Sequence, residues 1–375
     1  MISKPVPRFF SVLLYVMIPF PVLAQLSDSL PVRSGNRTAA LSLGARIHYG
    51  SFMANKPKLQ YVQDSHTMLA ELDILARTYG RHSWEQPSNY PQIGLAFLYG
   101  QSGASRYIGH LAAILPFMNF SLYKTGGFST DLRLAVGPAW VEKIFDHVNN
   151  YQNMVIGSHL NACLNILFSS RIRILPRTDL DLGISFTHIS NGSFKLPNMG
   201  LNIPALSAGI RYDLHSDQVK IRRSFPPVKK KINYYFYASI AGKQSLPLGS
   251  ARYLVNIFNL EALRDFSRTG RIGGGINMTL DRAQSVEVPY SPVFAFDRSK
   301  SQWQGSVYLA YEYVIGNLSL PLQVGYYLYN NYPVNSIYQN IGIKYRFASH
   351  WTAAFALKAH MGNGDFIQWG IGYKF

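Results

Sequence analysis

Alternation of apolar and polar residues along most of the chain constrains its fold more than any other feature of the sequence. In the segment WTAAFALKAHM, one face carries Trp351, Phe355 and Leu357, whereas the other carries Thr352 and Lys358. A period of two places successive side chains on opposite faces of a β-strand, whereas an amphipathic helix needs a period near 3.6. The sequence therefore predicts an all-β protein built from many amphipathic strands.

The length and the ends of these segments favour a membrane barrel over a soluble sandwich. Segments run for about ten residues, which is the length that a tilted strand needs to cross a bilayer. Tyr, Trp and Phe cluster near the segment ends, as in the aromatic girdles of membrane barrels. The segment FIQWGIGYKF closes on Phe375, and this pattern resembles the terminal strand of bacterial outer-membrane barrels. The predicted fold class is an antiparallel transmembrane β-barrel of the bacterial outer membrane.

The number of segments leaves the barrel count open. About eight segments precede residue 215, and six to eight follow residue 231. Between them, residues 216–231 are basic and contain two prolines, which predicts a connection that is either a solvated turn or a site for lipid phosphate. We predict one barrel of about 14–16 strands, since such barrels have even strand numbers. The alternative is an eight-stranded barrel over residues 25–215 and a second β domain over residues 232–375.

The first residues predict export. Lys4 and Arg8 precede an apolar run over residues 9–23, and Val22 and Ala24 occupy the small-residue positions of a cleavage site. The apolar run is too short to span a bilayer comfortably. We therefore expect residues 1–24 to be a cleaved signal peptide and the protein to lie in the bacterial outer membrane.

Charge and metal-ligating residues restrict the partners and cofactors. The net charge of +17 favours anionic partners, and export favours a lipid phosphate over nucleic acid. The ten histidines show no metal-ligand spacing, and Cys163 is the single cysteine. We therefore predict no metal site and no other cofactor. The sequence leaves the oligomeric state open.

One stretch breaks the alternation on the lipid-facing side of a predicted strand. In RTDLDLGISFTHIS, the even positions up to Phe186 are apolar, but the same face then carries His188 and Ser190. The parity of the next segment places Asn202 on the outer face as well. Polar groups that face lipid cost free energy and are seldom there without a function. The two segments therefore predict a polar cluster near one rim of the outer wall.

The residue types in this cluster indicate ester hydrolysis. Ser190 becomes a nucleophile when a base such as His188 accepts its proton, and Asn202 can hold the imidazole in the required tautomer. The amides of Asn191 and Asn198, or backbone N–H groups, can stabilise a developing oxyanion. Asn-Gly is also typical of a simple hairpin turn, so the alternative is a non-enzymatic outer-membrane pore or structural barrel.

The segment HISNGSFKLPNMGLN is similar to the active-site segment of the PagL-type lipid A 3-O-deacylases, a family also called acyloxyacyl hydrolases. The matching positions are His188, Ser190, Asn191, Pro197, Asn198 and Gly200. The resemblance implies an outer-membrane barrel that cleaves an acyl ester of lipid A in lipopolysaccharide. It further implies His188 as base, Ser190 as nucleophile, and Asn191, Asn198 and Gly200 at the oxyanion or substrate site.

The resemblance has two limits. The smaller family members carry Glu where this chain has Asn202, and an amide can orient an imidazole but cannot stabilise an imidazolium by charge. The resemblance covers residues 39–214, and residues 232–375 have no counterpart in the compact eight-stranded form of the family. The sequence therefore predicts a catalytic first part and leaves the role of the second part open.

Overall fold

The chain folds into two closed antiparallel β-barrels of eight strands each, seen here in a computed structural model. The structure describes residues 40–54, 57–215, 219–287, 302–330 and 335–375. The expected signal peptide, residues 1–24, lies outside the described residues. Within them, no helix is long and apolar enough to cross a membrane.

The first barrel is formed by strands that each pair with their neighbours in sequence, and its last strand closes on its first. A short 3₁₀ helix, Pro57–Val62, lies between the first two strands. The strands are β1 Ala40–Gly50, β2 Thr67–Arg77, β3 Gln92–Ser102, β4 His110–Thr125, β5 Phe128–Val141, β6 Leu160–Leu175, β7 Thr178–Ser190 and β8 Leu201–Asp213.

The second barrel repeats this up-and-down order, and β16 closes on β9. A single helical turn, Gln284–Glu287, follows its third strand. The strands are β9 Ile232–Gln244, β10 Arg252–Asp265, β11 Gly270–Asp281, β12 Trp303–Ile315, β13 Leu318–Asn330, β14 Ile337–Arg346, β15 Trp351–His360 and β16 Asn363–Lys374.

The predicted fold class is confirmed, but the preferred single barrel of 14–16 strands is wrong. The alternative of an eight-stranded barrel followed by a second β domain is correct. The reason is the pairing of β8 with β1, which runs from Ser42–Asp213 to Gly50–Ala205. Ser42 Oγ also donates a hydrogen bond to Asp213 Oδ1 at 2.7 Å across this seam. Because β1 satisfies the outer edge of β8, β8 has no free edge left for β9.

Ion pairs fill the lumen of the first barrel. Arg133 donates two hydrogen bonds of 2.6 Å to Glu71, and the Nη2 atom of Arg46 lies 2.6 Å from Asp181. All four side chains are nearly fully buried. An eight-stranded barrel has an interior just wide enough for side chains, so this network occupies the lumen as a core.

Paired charges also cross the lumen of the second barrel, beside two cavities with empty volumes of about 410 and 370 Å³. Lys344 Nζ lies 2.7 Å from Glu261 and 2.5 Å from Glu312, and all three side chains are buried. The hydroxyl of Tyr308 and the amide of Gln323 also donate to Glu261, at 3.3 and 2.8 Å. Charges buried in this way are stable because each cation is paired and hydrogen-bonded.

The outer faces carry the apolar residues. On β7 and β8, Leu182, Ile184 and Leu206 are exposed, whereas Asp181 and Ser207 on the opposite parity are buried. Rows of large exposed apolar side chains on both barrels match a surface that contacts hydrocarbon. The predicted parity of these strands, apolar outward and polar inward, therefore agrees with the structure.

The two barrels lie side by side with the same ends together. We call the end where β7 ends and β8 begins the site rim, and the opposite end the far rim. At the far rim, the rings of Phe120 and Tyr313 are 5.9 Å apart, and Trp84 lies against Gly316. At the site rim, the β7–β8 loop, residues 191–200, contacts the second barrel. The catalytic candidates therefore lie next to the junction.

The connection between the barrels crosses the far rim without forming a strand in residues 219–231. The backbone N–H of Ile221 donates to Tyr79 O at 2.7 Å, and that of Arg223 donates to Gln86 Oε1 at 2.7 Å. The connection is therefore anchored to the β2–β3 loop. Its binding to lipid phosphate stays a prediction.

Candidate active site

The register of β7 and β8 brings the candidate site together. His188 on β7 lies directly opposite Asn202 on β8, and Ser190 follows two residues later on the same face. Side chains directly opposite each other on one face of an antiparallel pair have Cβ atoms about 5 Å apart. His188 and Asn202 are fourteen residues apart in sequence, and the pairing of β7 with β8 brings their side chains into contact.

The imidazole of His188 is hydrogen-bonded on both sides. Its Nδ1 atom lies 2.7 Å from Asn202 Oδ1, and its Nε2 atom lies 3.2 Å from Ser190 Oγ. Because an amide oxygen only accepts, Nδ1 carries the proton and donates to Asn202, which leaves Nε2 to accept from the Ser190 hydroxyl. This assignment follows from the hydrogen-bond pattern. The arrangement is that of a nucleophile, a base and a group that orients the base.

The three side chains are less exposed than outward parity alone predicts. Ser190 and Asn202 are each 7% exposed, and His188 is half-buried. The chain returns over the imidazole at Gly200, which has φ +78°, and a Cβ atom there would lie 2.9 Å from His188 Cε1. A residue without a side chain and tolerant of positive φ is therefore needed at this position.

Gly200 holds the imidazole in place and does not offer a donor to an oxyanion. Its backbone N–H donates to Val155 O at 3.1 Å. The sequence-based prediction grouped Gly200 with the oxyanion or substrate residues. The structure shows Gly200 against the imidazole of His188, and a contact with substrate stays a prediction.

The side chain and backbone of Asn191 form hydrogen bonds within the β7–β8 loop and to Ser158. Its side-chain Nδ2 donates to Ser158 Oγ at 2.7 Å and to Lys195 O at 2.9 Å, and its backbone N–H donates to Asn198 Oδ1 at 3.1 Å. Both amide protons of the side chain are therefore used. Asn191 fixes the shape of the loop beside the nucleophile.

Asn198 keeps one donor available. Its Oδ1 atom accepts from the Asn191 backbone, and its own backbone pairs with Ile156 in a β-bridge. Within the described residues, its Nδ2 group makes no hydrogen bond. Of the two predicted oxyanion amides, Asn198 is therefore the one whose side-chain donor is not used within the described structure.

Ser158 is a site residue that was not singled out from the sequence. It lies in the loop before β6, accepts from Asn191 Nδ2, and donates to Asn161 Oδ1 at 2.8 Å. Nothing in the local pattern marks it, because its importance comes from a contact with another loop.

The lumen carboxylates of β7 cannot replace Asn202. Asp179 and Asp181 are paired with Arg173 and Arg46 inside the barrel. Within the described part of the chain, no carboxylate forms a hydrogen bond with His188. The partner of His188 Nδ1 is therefore the neutral amide of Asn202.

Two protein families match the chain in sequence. The fold and the matches define a barrel enzyme of the ester hydrolase class. The family "Lipid A 3-O-deacylase (PagL)" matches residues 72–211, which include the whole candidate site, and the family "Acyloxyacyl hydrolase, C-terminal domain" matches residues 232–375. Together these matches cover more than half of the chain. The chain belongs to the PagL family of lipid A deacylases.

Solved structures that resemble the chain include a bacterial surface protein, an outer membrane enzyme and a porin. Neisserial surface protein A has 12% identity, with 46% of this chain and 96% of that chain covered and a TM-score of 0.32. The outer membrane enzyme PagL has 17% identity, with 45% and 97% covered and a TM-score of 0.30. KdgM porin has 8% identity, with 70% and 93% covered and a TM-score of 0.19. The family assignment rests on the sequence matches and not on these likenesses. No curated protein matches the chain in sequence.

Proposed function

We propose that the chain removes an ester-linked acyl chain from lipid A of lipopolysaccharide by a serine–histidine mechanism on the outer wall of its first barrel. The observation that carries this proposal is the hydrogen-bonded series from Ser190 through His188 to Asn202. It lies on the lipid-facing parity of β7 and β8, within the part of the chain that matches the deacylase family.

In the first half of the reaction, Ser190 Oγ attacks the ester carbonyl carbon while His188 Nε2 accepts the hydroxyl proton. The carbonyl oxygen becomes an oxyanion, and Asn198 Nδ2 donates a hydrogen bond to it. The tetrahedral intermediate then collapses. The bond to the sugar oxygen breaks, that oxygen takes the proton from Nε2, and the acyl chain remains esterified to Ser190.

In the second half, a water molecule attacks the acyl-serine ester and gives its proton to His188 Nε2. Collapse of the second intermediate releases the fatty acid and returns the proton to Ser190 Oγ. Throughout, Asn202 holds Nδ1 as the protonated nitrogen, so that Nε2 faces the serine. The amide supplies orientation, and the transient imidazolium is formed without a neighbouring negative charge.

The position of the site on the wall suits a substrate that lies in the bilayer. An acyl chain beside β7 remains among the exposed apolar side chains of the outer face, and its ester reaches the rim where Ser190 lies. Lipopolysaccharide is therefore the proposed partner and the outer membrane the proposed location. Residues 1–24 are the proposed cleaved signal for export.

The alternative function, a pore, requires an open lumen. In the described structure, buried ion pairs such as Arg133–Glu71 and Lys344–Glu261 cross both lumens. No observation in the described structure favours conduction over ester hydrolysis.

The proposal is tested by incubating the full-length protein, refolded in detergent, with purified lipopolysaccharide and measuring the lipid A by mass spectrometry. We expect the loss of one acyl chain with the wild-type protein and none with Ser190→Ala or His188→Ala. An unchanged lipid A mass with folded wild-type protein, under conditions where another lipid A deacylase is active, contradicts the proposal.

A further inference from the structure

We propose that the second barrel positions the active-site loop of the first, and that Gln244 and Arg252 are the positioning residues. This inference rests on the proposed function, because it gives the second barrel a part in that same reaction. The loop in question is the β7–β8 loop, residues 191–200, which carries Asn191 and Asn198. Four contacts from the second barrel converge on its middle, between residues 193 and 196.

Gln244, the last residue of β9, makes the most specific of these contacts. Its side-chain Oε1 accepts a hydrogen bond of 2.6 Å from the backbone N–H of Leu196, and its own backbone N–H donates to Ser193 O at 2.9 Å. Its Nε2 group donates to Ser250 O at 2.7 Å, which fixes the side chain from its own barrel. Gln244 is only 7% exposed, so these bonds are shielded from water.

Arg252, the first residue of β10, holds the tip of the loop. Its Nε–H donates to Phe194 O at 3.1 Å, and its guanidinium carbon lies 4.4 Å from the centre of the Phe194 ring. The same ring lies against Gly242 of β9, where an added Cβ atom would be 3.0 Å away. The side chain of Phe194 is therefore held between β9 and an arginine of β10.

The start of the loop is in tight contact with β16. A Cβ atom at Gly192 would lie 2.5 Å from Ile367 Cγ1, and Ser193 Oγ donates to Gly364 O at 3.3 Å. Gly192 and Ser193 have consecutive positive φ values of 58° and 59°. For a residue with a side chain this conformation is uncommon, so the packing of the second barrel compensates for it.

These contacts reach the candidate oxyanion donors through the loop backbone. Leu196 and Lys195 are neighbours, and the carbonyl of Lys195 accepts from Asn191 Nδ2. Asn191 in turn donates its backbone N–H to Asn198 Oδ1, which sets the direction of the free amide of Asn198. A donor to a transition state must be held to within about 0.5 Å. The first barrel holds one side of this loop through Ser158, and the second barrel holds the other.

The test compares variants at Gln244 in the full-length protein. Gln244→Leu removes the acceptor for Leu196 N–H, whereas Gln244→Glu retains an acceptor oxygen. The control is Gln339→Leu, because Gln339 Oε1 also accepts a backbone N–H at the site rim, that of Met361 at 3.1 Å, but within the second barrel. Arg252→Gln tests the second contact at an exposed position.

We expect Gln244→Leu to lower kcat about tenfold to a hundredfold with little change in KM, because a displaced donor weakens the transition state and not substrate binding. Gln244→Glu keeps an acceptor for Leu196 N–H but loses the donor to Ser250 O, so it should recover only part of the loss, and Gln339→Leu should match the wild type. The same order should hold for the rate at which a fluorophosphonate probe labels Ser190. Amide hydrogen exchange should rise in residues 191–200 of Gln244→Leu and stay unchanged in β9 and β10.

Two negative outcomes are distinguishable. If the wild-type protein deacylates lipid A and Ser190→Ala does not, but Gln244→Leu and Arg252→Gln both match the wild type, the positioning role is wrong and the proposed function stands. If the folded wild-type protein neither deacylates lipid A nor reacts with the probe, the proposed function fails and the positioning role fails with it.

Discussion

Each barrel has a histidine near the end of its seventh strand, and the two histidines have opposite surroundings. His188 of β7 faces the lipid side and contacts Ser190 and Asn202. His360 of β15 faces the lumen, where its Nε2 lies 2.9 Å from the hydroxyl of Tyr327 and its Nδ1 lies 3.8 Å from Asp365. Both have a hydroxyl on one side and a partner from the eighth strand on the other.

The difference shows that the face of the strand on which a hydrogen-bonded histidine lies decides whether it can contact a lipid. The residue types around the histidine do not decide it. A register shift between Lys358 and Ala359 accompanies the end of β15, and His360 is 8% exposed among lumen side chains. The partners differ as well. The lumen histidine has a carboxylate nearby and the outer one has an amide, which is consistent with the higher cost of a charge that faces hydrocarbon.

The largest expected effect is the loss of the nucleophile or the base. Ser190→Ala and His188→Ala should each lower the deacylation rate by about a thousandfold or more, because covalent catalysis is removed. His360→Gln, the matched change in the second barrel, should leave the rate within about twofold, because this residue contacts no substrate. Mass spectrometry of lipid A measures all three. A large loss of activity in His360→Gln with an intact fold would contradict the comparison.

The next effect concerns the free amide of Asn198. Asn198→Asp keeps the oxygen that accepts from Asn191 N–H but removes the donor to the oxyanion, so kcat should fall by about a hundredfold. The loop should keep its low hydrogen exchange, because its internal bond remains. A variant with unchanged kcat would assign the oxyanion to backbone N–H groups instead.

A third effect tests the glycine that covers the imidazole. Gly200→Ala places a methyl group 2.9 Å from His188 Cε1 at a positive φ, so activity should fall about tenfold with about 1 kcal/mol of lost stability. Gly249→Ala is the control. Gly249 also has positive φ, but the nearest atom to its added Cβ is His147 Nε2 at 3.5 Å, so it should lose similar stability and keep its activity. Equal activity losses in both would indicate a general effect of strain at the rim.

An effect of similar size but opposite sign is expected at Asn202. Asn202→Asp preserves the oxygen that accepts from His188 Nδ1 and adds a negative charge beside the imidazolium that forms during the reaction. We expect kcat to rise by about tenfold, which corresponds to ~1.4 kcal/mol. Steady-state kinetics with lipopolysaccharide measures this gain, and Asn202→Leu, which removes the acceptor, should reduce kcat. A fall in both variants would mean that the site is adapted to a neutral partner.

The sequence predicted the strands and their faces because alternation is a local property. The expected count of about eight segments before residue 215 agrees with β1–β8, and the parity that sets His188 apart from Asp181 is visible in one strand. The closure of the first eight strands into a separate barrel was not predictable from alternation. The pairing of β8 with β1 joins residues 171 apart in sequence, Ser42 and Asp213, and alternation does not encode which edge a strand selects.

The site was predictable only in part for the same reason. The spacing of His188 and Ser190 and the parity of Asn202 follow from two strands. Both side-chain amide protons of Asn191 are used in hydrogen bonds, one to Ser158 in another loop and one to Lys195 O within the same loop. Neither bond can be predicted from the alternation of a strand. Gln244 and Arg252 belong to the other barrel, so no pattern within the active-site segment points to them.

The ion pairs inside the barrels have a consequence for the membrane that holds this protein. A membrane protein with a wide aqueous interior admits small solutes, and every added copy raises the permeability of the membrane. Here charged pairs such as Arg133 with Glu71 and Lys344 with Glu312 cross the interiors of the described barrels. With the proposed site on the outer wall, the substrate would arrive from the lipid and the reaction would need no aqueous passage through the protein.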